Sequence, residues 1–417
     1  MSDYNRGIEY MALVSILLLL LSTVTTPSIA SESSSFVEFT SATRDYWPTE
    51  GWMNSTPEEQ GMDSVLLEEM IDHIADEDLD VHSVIVIRHG YVVLEEYPDP
   101  YQGVSRTQSF NGTHFLYSAT KSFLSCLIGM AIDKGYIDNT SQTMLSFFPN
   151  HTIANIDERK ERVTLRDLLT MRSGLPWDEQ SAPFNSPEND VYQLNYNTSG
   201  GVQYVLDMPM EYEPDEVFHY NTGASHLLSG IVQETTGMST LDFAVEHLFS
   251  PLGINPYYWY SDRMGVHFGG YDLQLEPLDM AKFGYLFLNN GTWDGEQVVS
   301  SEWVNESTTT VSTYYGERGY AYQWWTMPDR GVFYAAGMYG QYIFVSPEDD
   351  LVAVFTSGYG FNDVDENPSM FRNYILGAVT EESPVVPFDF VLPATVIVVV
   401  VVSLGLILKF RSRFQGV

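Results

Sequence analysis

The alternation of apolar and polar positions changes rhythm several times along the chain, and those changes predict its elements. Over residues 64–75, Leu66, Leu67, Met70, Ile71 and Ile74 fall on one side of a helix. The run from Ser83 to Tyr97 switches to strand composition and turns at His89-Gly90, which predicts a β-hairpin with His89 as a turn residue. Helical spacing returns at Leu124, Leu127, Ile128 and Ala131, with Gly135 placed to close the helix. Residues 163–175 predict another helix, opened by a Thr164/Asp167 capping box and closed by Gly174. Residues 176–203 are polar, with Trp177, Phe184 and Tyr192 interspersed, and predict a long loop suited to a pocket wall.

Three more helices follow. One has Leu227, Leu228, Ile231 and Val232 as its apolar face, one starts at Ser239 with Asp242 three residues on, and one covers residues 278–288. The last part of the chain predicts strands at 320–327, 332–336, 341–345 and 351–356, joined by turns at Asp329-Arg-Gly331 and Pro347-Glu-Asp-Asp350. Short connections imply antiparallel neighbours. An early hairpin, a helical middle and a late strand cluster indicate an α+β fold, with one antiparallel sheet drawn from both chain ends and a mainly helical subdomain inserted. No internal repeat is present.

The ends follow other rules. Residues 11–21 are apolar and are followed by Ser28 and Ala30, the small residues of a cleavage site, so residues 1–30 are expected to be a signal peptide. The leader is poorly basic, and an uncleaved anchor is the alternative. Residues 31–57 read as a linker, 58–379 as the folded domain and 380–390 as a short stalk. Residues 391–408 carry no charge and are long enough to span a bilayer as a helix; Lys409, Arg411 and Arg413 follow at once. The positive-inside rule then makes residues 409–417 a cytoplasmic tail and puts the domain outside, tied to the membrane by a single pass. Asn-x-Ser/Thr triplets at Asn54, Asn111, Asn139, Asn150, Asn197, Asn290 and Asn305 fit that orientation.

Charge narrows the partners. The formal net charge is -37, from 56 acidic and 19 basic residues among 417, which excludes nucleic acid as a partner. The one cysteine, Cys126, permits no intrachain disulfide and is expected to be a packed core thiol. No His, Glu or Cys cluster has metal-ligand spacing and no glycine-rich phosphate loop occurs, so no cofactor is expected.

The candidate chemistry begins with Ser118 and Lys121. Three residues apart at the start of a helix, they share a face, with the serine over the positive end of the helix dipole. That arrangement suits a nucleophile whose hydroxyl must be deprotonated and whose product is an oxyanion. Lysine is scarce here, and Lys121 is the one with a serine three residues before it.

Six motifs occur in order: Tyr117-Ser-Ala-Thr-Lys-Ser-Phe123, Leu168-Leu-Thr-Met-Arg-Ser-Gly-Leu175, Phe218-His-Tyr-Asn-Thr-Gly223, Leu248-Phe-Ser-Pro-Leu-Gly-Ile254, Leu278-Asp-Met-Ala-Lys-Phe-Gly284 and Ala336-Gly-Met-Tyr-Gly-Gln341. In these the chain resembles the serine β-lactamase and penicillin-binding family, specifically its class C branch at the esterase and 6-aminohexanoate-dimer hydrolase end. The resemblance covers about residues 80 to 360 and implies a serine β-lactamase/DD-peptidase-like fold. It carries the catalytic roles onto Ser118, Lys121 and Tyr220: Ser118 forms an acyl-enzyme while Lys121 and Tyr220 share the proton work. Which of the two takes the serine proton stays open in the sequence. The oxyanion hole would use the backbone N–H groups of Ser118 and of the strand near Gly337 and Met338.

Two departures from the family pattern bear on substrate. Thr222 stands where the second motif normally ends in asparagine, with Asn221 one step early. The third motif normally offers a cation, and Ala335-Ala336-Gly337 has none, with Arg330 the nearest in sequence. A substrate carboxylate would lack a partner, so the expectation is a small ester or amide with a neutral or cationic end, not an efficiently cleaved β-lactam. Trp177, Trp324, Trp325 and Tyr339 are candidates for an aromatic cleft or for core packing. His267 is a candidate for approaching the substrate, whereas His219 and His226 are expected to be structural. The rival readings are β-lactamase or D-amino-acid peptidase activity, and a catalytically silent surface recognition module on the same fold.

Overall fold

In the computed structural model, the described residues are 44–98, 112–314, 318–360 and 366–380. The expected signal peptide, stalk, membrane span and basic tail lie outside them. Among the described residues, no helix is long and apolar enough to cross a membrane.

Helix α1 (Ser64–Asp76) opens with Asp63 accepting from the Val65 amide and buries Leu67, Met70 and Ile74. Strand β1 (Val81–Arg88) is buried at all eight positions, and β2 (Tyr91–Glu96) returns along it. Both turn residues are left-handed, with His89 at φ 51° and Gly90 at φ 90°, as a tight hairpin connection requires. Strand β3 (His114–Phe115) leads into the long buried helix α2 (Thr120–Asp133).

The middle of the chain is helical. It comprises α3 (Leu165–Leu169), α4 (Asp190–Tyr196), α5 (Gly201–Leu206), α6 (Thr222–Thr236) and α7 (Thr240–Ala244). Strands β4 (Tyr258–Trp259) and β5 (Leu273–Leu275) join β3 in a small sheet beside them. Helix α8 (Pro277–Leu288), the short hairpin β6 (Thr292–Trp293) and β7 (Glu296–Gln297), and α9 (Ser301–Thr308) return the chain to the large sheet.

Strands β8 (Ser312–Tyr314), β9 (Arg318–Tyr320), β10 (Trp325–Met327), β11 (Val332–Gly337), β12 (Gln341–Ser346) and β13 (Leu351–Ser357) complete that sheet. Its order is β2-β1-β13-β12-β11-β10-β9-β8, so the early hairpin and the late strands meet where β1 pairs antiparallel with β13. The run of apolar residues in β1 has a physical reason. Ile85 and Ile87 face the core built on α2 and α8, while Val84 and Val86 face a second core built on α1 and the C-terminal turn with Phe371 and Ile375. A strand covered on both faces is apolar on both. The architecture is α+β, one antiparallel sheet flanked by helices, as the resemblance implies.

Four local expectations are corrected. Residues 44–57 are packed onto the domain: the Arg44 guanidinium bridges both carboxylate oxygens of Asp350 at 2.6 Å, and Trp47 and Trp52 lie against the Tyr285 ring. The helix after Thr164 keeps its capping box but ends at Leu169, because the Leu168 and Leu169 carbonyls are taken by Gln323. The 176–203 stretch contains α4 and the start of α5, since Asn189 caps one and Val202, Val205 and Leu206 bury the other. The strand expected over 320–327 breaks into β9 and β10 at Gln323, whose φ of 62° turns its side chain into the interior.

Candidate active site

Ser118 lies in a single 3₁₀ turn, Tyr117–Ala119, that runs directly into α2. The turn is fixed from the β5 side: the Leu116 amide donates to the Leu273 carbonyl at 2.8 Å, and the Leu273 amide donates to Thr120 Oγ1 at 3.3 Å. Tyr117, just before the serine, has a φ of 47°. Left-handed backbone in a bulky residue is strained, and such strain gathers at functional sites.

Lys121 is the second residue of α2 and is buried. Its Nζ donates to Ser118 Oγ at 3.1 Å, to Thr222 Oγ1 at 3.1 Å and to the Gly270 carbonyl at 2.9 Å. Three acceptors match the three donors of an ammonium. A neutral amine could keep two of these bonds and turn its lone pair on Ser118. Burial pulls the lysine down to about 8, against a smaller upward pull from the Glu179 carboxylate.

Tyr220 enters from the segment before α6. Its hydroxyl hydrogen-bonds Ser118, and its ring centroid lies 4.8 Å from Lys121 Nζ. Burial, and secondarily the Glu179 charge, push its phenol well above the ordinary tyrosine range. The ring stacks on Trp325 at 6.0 Å, and Tyr320 meets Trp325 edge-on at 4.9 Å, so the phenol has an aromatic backing.

Two glycines set the spacing. A Cβ on Gly270 would lie 2.6 Å from Thr222 Cγ2 and 3.0 Å from Lys121 Nζ, so no side chain fits beside the amine. A Cβ on Gly337 would lie 2.1 Å from the Leu116 carbonyl oxygen and 3.2 Å from the Ala119 amide nitrogen. The end of β11 therefore runs in contact with the nucleophile turn, beside which Met338 follows. Tyr339, at φ 63°, meets Tyr117 edge-on at 5.0 Å.

Of the residues singled out from sequence, Ser118, Lys121, Tyr220 and Thr222 come together at one point, with Gly337, Met338, Tyr339 and Trp325 around them. Trp177 is buried with its indole N–H donating to Glu179 at 2.5 Å. Asn221 is placed otherwise: its side-chain oxygen caps α6 by accepting from the Ala224 amide at 2.8 Å. Trp324 is fully buried and stacks on Phe283, which makes it core. His267 packs edge-on against Trp259, and its carbonyl accepts from Ser229, two helical turns along α6 from Thr222. His219 bonds the Trp177 carbonyl at 2.8 Å, and His226 lies 3.3 Å from the buried Asp262 carboxylate. Cys126 is buried, and burial pushes its thiol up, away from reactivity. Arg330 is half exposed in the turn before β11 and pairs with Asp329.

Four participants were not singled out from sequence. Gly270 supplies a carbonyl to Lys121, and Glu179 supplies the charge acting on Lys121 and Tyr220. Gln341 braces the turn after β11, donating to the Ser357 carbonyl at 2.6 Å and to the Met338 and Tyr339 carbonyls at 3.4 and 3.3 Å. Gln323 ties Leu168, Leu169 and Ser225 together. A polar residue inside an aromatic run, as in Tyr322-Gln-Trp324, was the available signal for the last.

The family described as Beta-lactamase matches residues 67–373. The chain belongs to the beta-lactamase family. Within it, the chain is 23% identical to the 6-aminohexanoate-dimer hydrolase of Paenarthrobacter ureafaciens over 66% of this chain and 72% of that protein. Its fold is similar to that of a family VIII carboxylesterase, with a TM-score of 0.61 at 15% identity, the match covering 78% of this chain and 98% of the other. It is similar also to an octameric penicillin-binding protein homologue from Pyrococcus abyssi, with a TM-score of 0.56 at 20% identity over 77% of this chain and 78% of the other. As a member of the beta-lactamase family the protein is a serine hydrolase.

Proposed function

We propose that the protein cleaves an ester or amide bond of a small molecule through a Ser118 acyl-enzyme. The observation that carries this reading is the contact of Lys121 Nζ with Ser118 Oγ at 3.1 Å, with the Tyr220 hydroxyl on the same serine. The two candidate bases differ in environment. Lys121, lowered to about 8, is the group that can be neutral near physiological pH; Tyr220, raised by burial, keeps its proton.

Lys121 therefore takes the Ser118 proton as Oγ attacks the carbonyl carbon. The tetrahedral oxyanion is held by the Ser118 amide and the amide at Met338. On collapse the leaving oxygen or nitrogen receives a proton from Tyr220, which is reprotonated by Lys121. Water then attacks the acyl-enzyme with the same groups in reverse. Thr222 and the Gly270 carbonyl orient the amine throughout.

A β-lactam or D-amino-acid peptide is the less favoured substrate. Ala335 and Ala336 offer no cation, and Arg330 begins seven residues before Gly337, about 20 Å away along an extended strand. A silent recognition module is disfavoured by the intact set of hydroxyl, amine and phenol. We further place the catalytic domain outside the membrane, anchored through residues 391–408. The uncharged run and the cations after it support this, as do the six Asn-x-Ser/Thr triplets among the described residues, whose asparagines are all at least partly exposed.

The test is a panel of p-nitrophenyl esters, anilides and a chromogenic cephalosporin, on wild type and Ser118→Ala. Ester or anilide turnover that falls by at least about 10³-fold in Ser118→Ala is expected. Turnover that survives the substitution, or no turnover of any ester or amide by folded protein, overturns the reading.

A further inference from the structure

The Glu179 carboxylate was not part of the catalytic set, yet it is held against it from two sides. Its Oε2 accepts from the Trp177 indole N–H at 2.5 Å, and the Trp177 carbonyl is bonded by His219, the residue before Tyr220. The indole itself is wedged against the first turn of α6, where a Cβ on Gly223 would lie 2.5 Å from its ring. On the other flank, the Asp178 amide donates to Asp190 at 2.6 Å, and the Gln180 and Ser181 amides donate to Asp178. The glutamate thus sits at the tip of an anchored loop.

Its charge is felt by Lys121 on α2, Tyr220 before α6, Tyr271 before β5 and Tyr320 on β9. Geometry gives the same neighbourhood: the half-buried Glu179 holds Trp177, whose ring packs on the α6 turn that supplies Thr222 to Lys121 Nζ.

We propose, resting on the acyl-enzyme reading, that Glu179 is a specificity residue that selects substrates carrying an ammonium group. At rest the Lys121 ammonium compensates Glu179. When Lys121 gives up its proton to solvent and becomes a base, the half-buried Glu179 is left without the compensating ammonium. A cationic substrate restores neutrality and so favours the amine form of Lys121 at the moment it is needed. An anionic substrate meets only repulsion, because β11 carries Ala335 and Ala336 where a cation would be required. The protein's net charge of -37 also concentrates cations at its surface.

The experiment compares p-nitrophenyl esters of 5-aminopentanoate, hexanoate and glutarate, which share a leaving group and nearly a shape but end in a cation, a methyl and an anion. A second pair, butyrylcholine and 3,3-dimethylbutyl butyrate, puts the charge on the alcohol side. The measured quantity is the ratio of kcat/KM for cationic over neutral substrate, in wild type, Glu179→Gln and Glu179→Asp. In at least one series wild type is expected to favour the cation, and the ratio to fall by a factor of about 10 to 100 in Glu179→Gln and to be partly restored in Glu179→Asp. The pH midpoint of kcat is expected to lie lower for the cationic ester than for the neutral one in wild type, and this gap to close in Glu179→Gln; a glutamate that merely fastened Trp177 would not move it.

Ratios unchanged within about twofold by Glu179→Gln, or a wild type that favours the neutral or anionic ester in both series, overturn the proposal. The two readings fail separately. If hexanoate ester turnover persists in Ser118→Ala, the acyl-enzyme reading fails; if it depends on Ser118 while the ratios ignore Glu179, only the specificity proposal does.

Discussion

Lys121 is an amine enclosed by three oxygen atoms and a phenol ring, and in the proposed mechanism its protonation sets activity as well as stability. For a neutral ester, kcat/KM should rise with pH through a midpoint near 8, as the buried lysine loses its proton and becomes a base. A flat profile from pH 6 to 10 would contradict this. The stability effect has a definite sign. The folded lysine is lowered from 10.5 to about 8, so between those values the unfolded chain binds the extra proton and folding stability rises with pH. Below about 8 both states are protonated and the cost of the buried charge is fully present. Urea denaturation of wild type and Lys121→Met from pH 7 to 10.5 reads the effect: wild type should gain relative to the variant as pH rises, by an amount on the order of 2–3 kcal/mol.

At the scale of elements, the joint that holds the site together is the break between β9 and β10. Gln323 is buried there, with its amide nitrogen on the Leu168 and Leu169 carbonyls and its oxygen accepting from Ser225 on α6. Its backbone carbonyl accepts from Ser122 on α2 at 2.8 Å. One residue, through its side chain and its carbonyl, thus ties together α2, which carries Lys121, and α6, which follows Tyr220. Replacing Gln323 by Met keeps the volume but removes three buried hydrogen bonds and takes the acceptor from the buried Ser225 hydroxyl, which should cost about 2–4 kcal/mol in urea unfolding; a cost within about 0.5 kcal/mol would show that the joint is dispensable. This is also where reading the sequence stops. Period and capping were enough for α1, the β1–β2 hairpin, α2, α8 and β11 to β13, because each has a strong apolar rhythm and a marked end. Tyr320 to Met327 reads as one strand because its composition is strand-like; only the partners of Gln323, distant in sequence, reveal the break. The same holds for the site. Ser118, Lys121 and Tyr220 stand in motifs, whereas Glu179 and Gly270 act through position alone, and nothing local marks a glycine whose carbonyl faces a lysine.

For the whole molecule, the folded unit begins earlier than composition suggests. The stretch before α1 is rich in Ser, Thr and Glu, yet from Arg44 it is strapped across the sheet's far end. Arg44 joins Asp350, in the turn before β13, to Asn289 at the end of α8, and its guanidinium lies 5.0 Å from the Tyr285 ring centroid. A bidentate pair with a side chain only 4% exposed on the arginine side is worth more than a surface ion pair. Arg44→Ala should lower unfolding stability by about 2–3 kcal/mol while leaving kcat for a neutral ester within about twofold, since the strap does not touch Ser118, Lys121 or Tyr220. An unchanged urea midpoint would return residues 44–57 to the status of a linker.

The most direct measurement is intact-mass and peptide mass spectrometry of the folded protein after reaction with a fluorophosphonate. The hydroxyl, amine and phenol that meet at one point predict a single adduct, on the peptide containing Ser118, absent from Ser118→Ala and strongly slowed in Lys121→Met and Tyr220→Phe. A folded wild-type protein that takes no label, or one labelled at another residue with Ser118 intact, would contradict it.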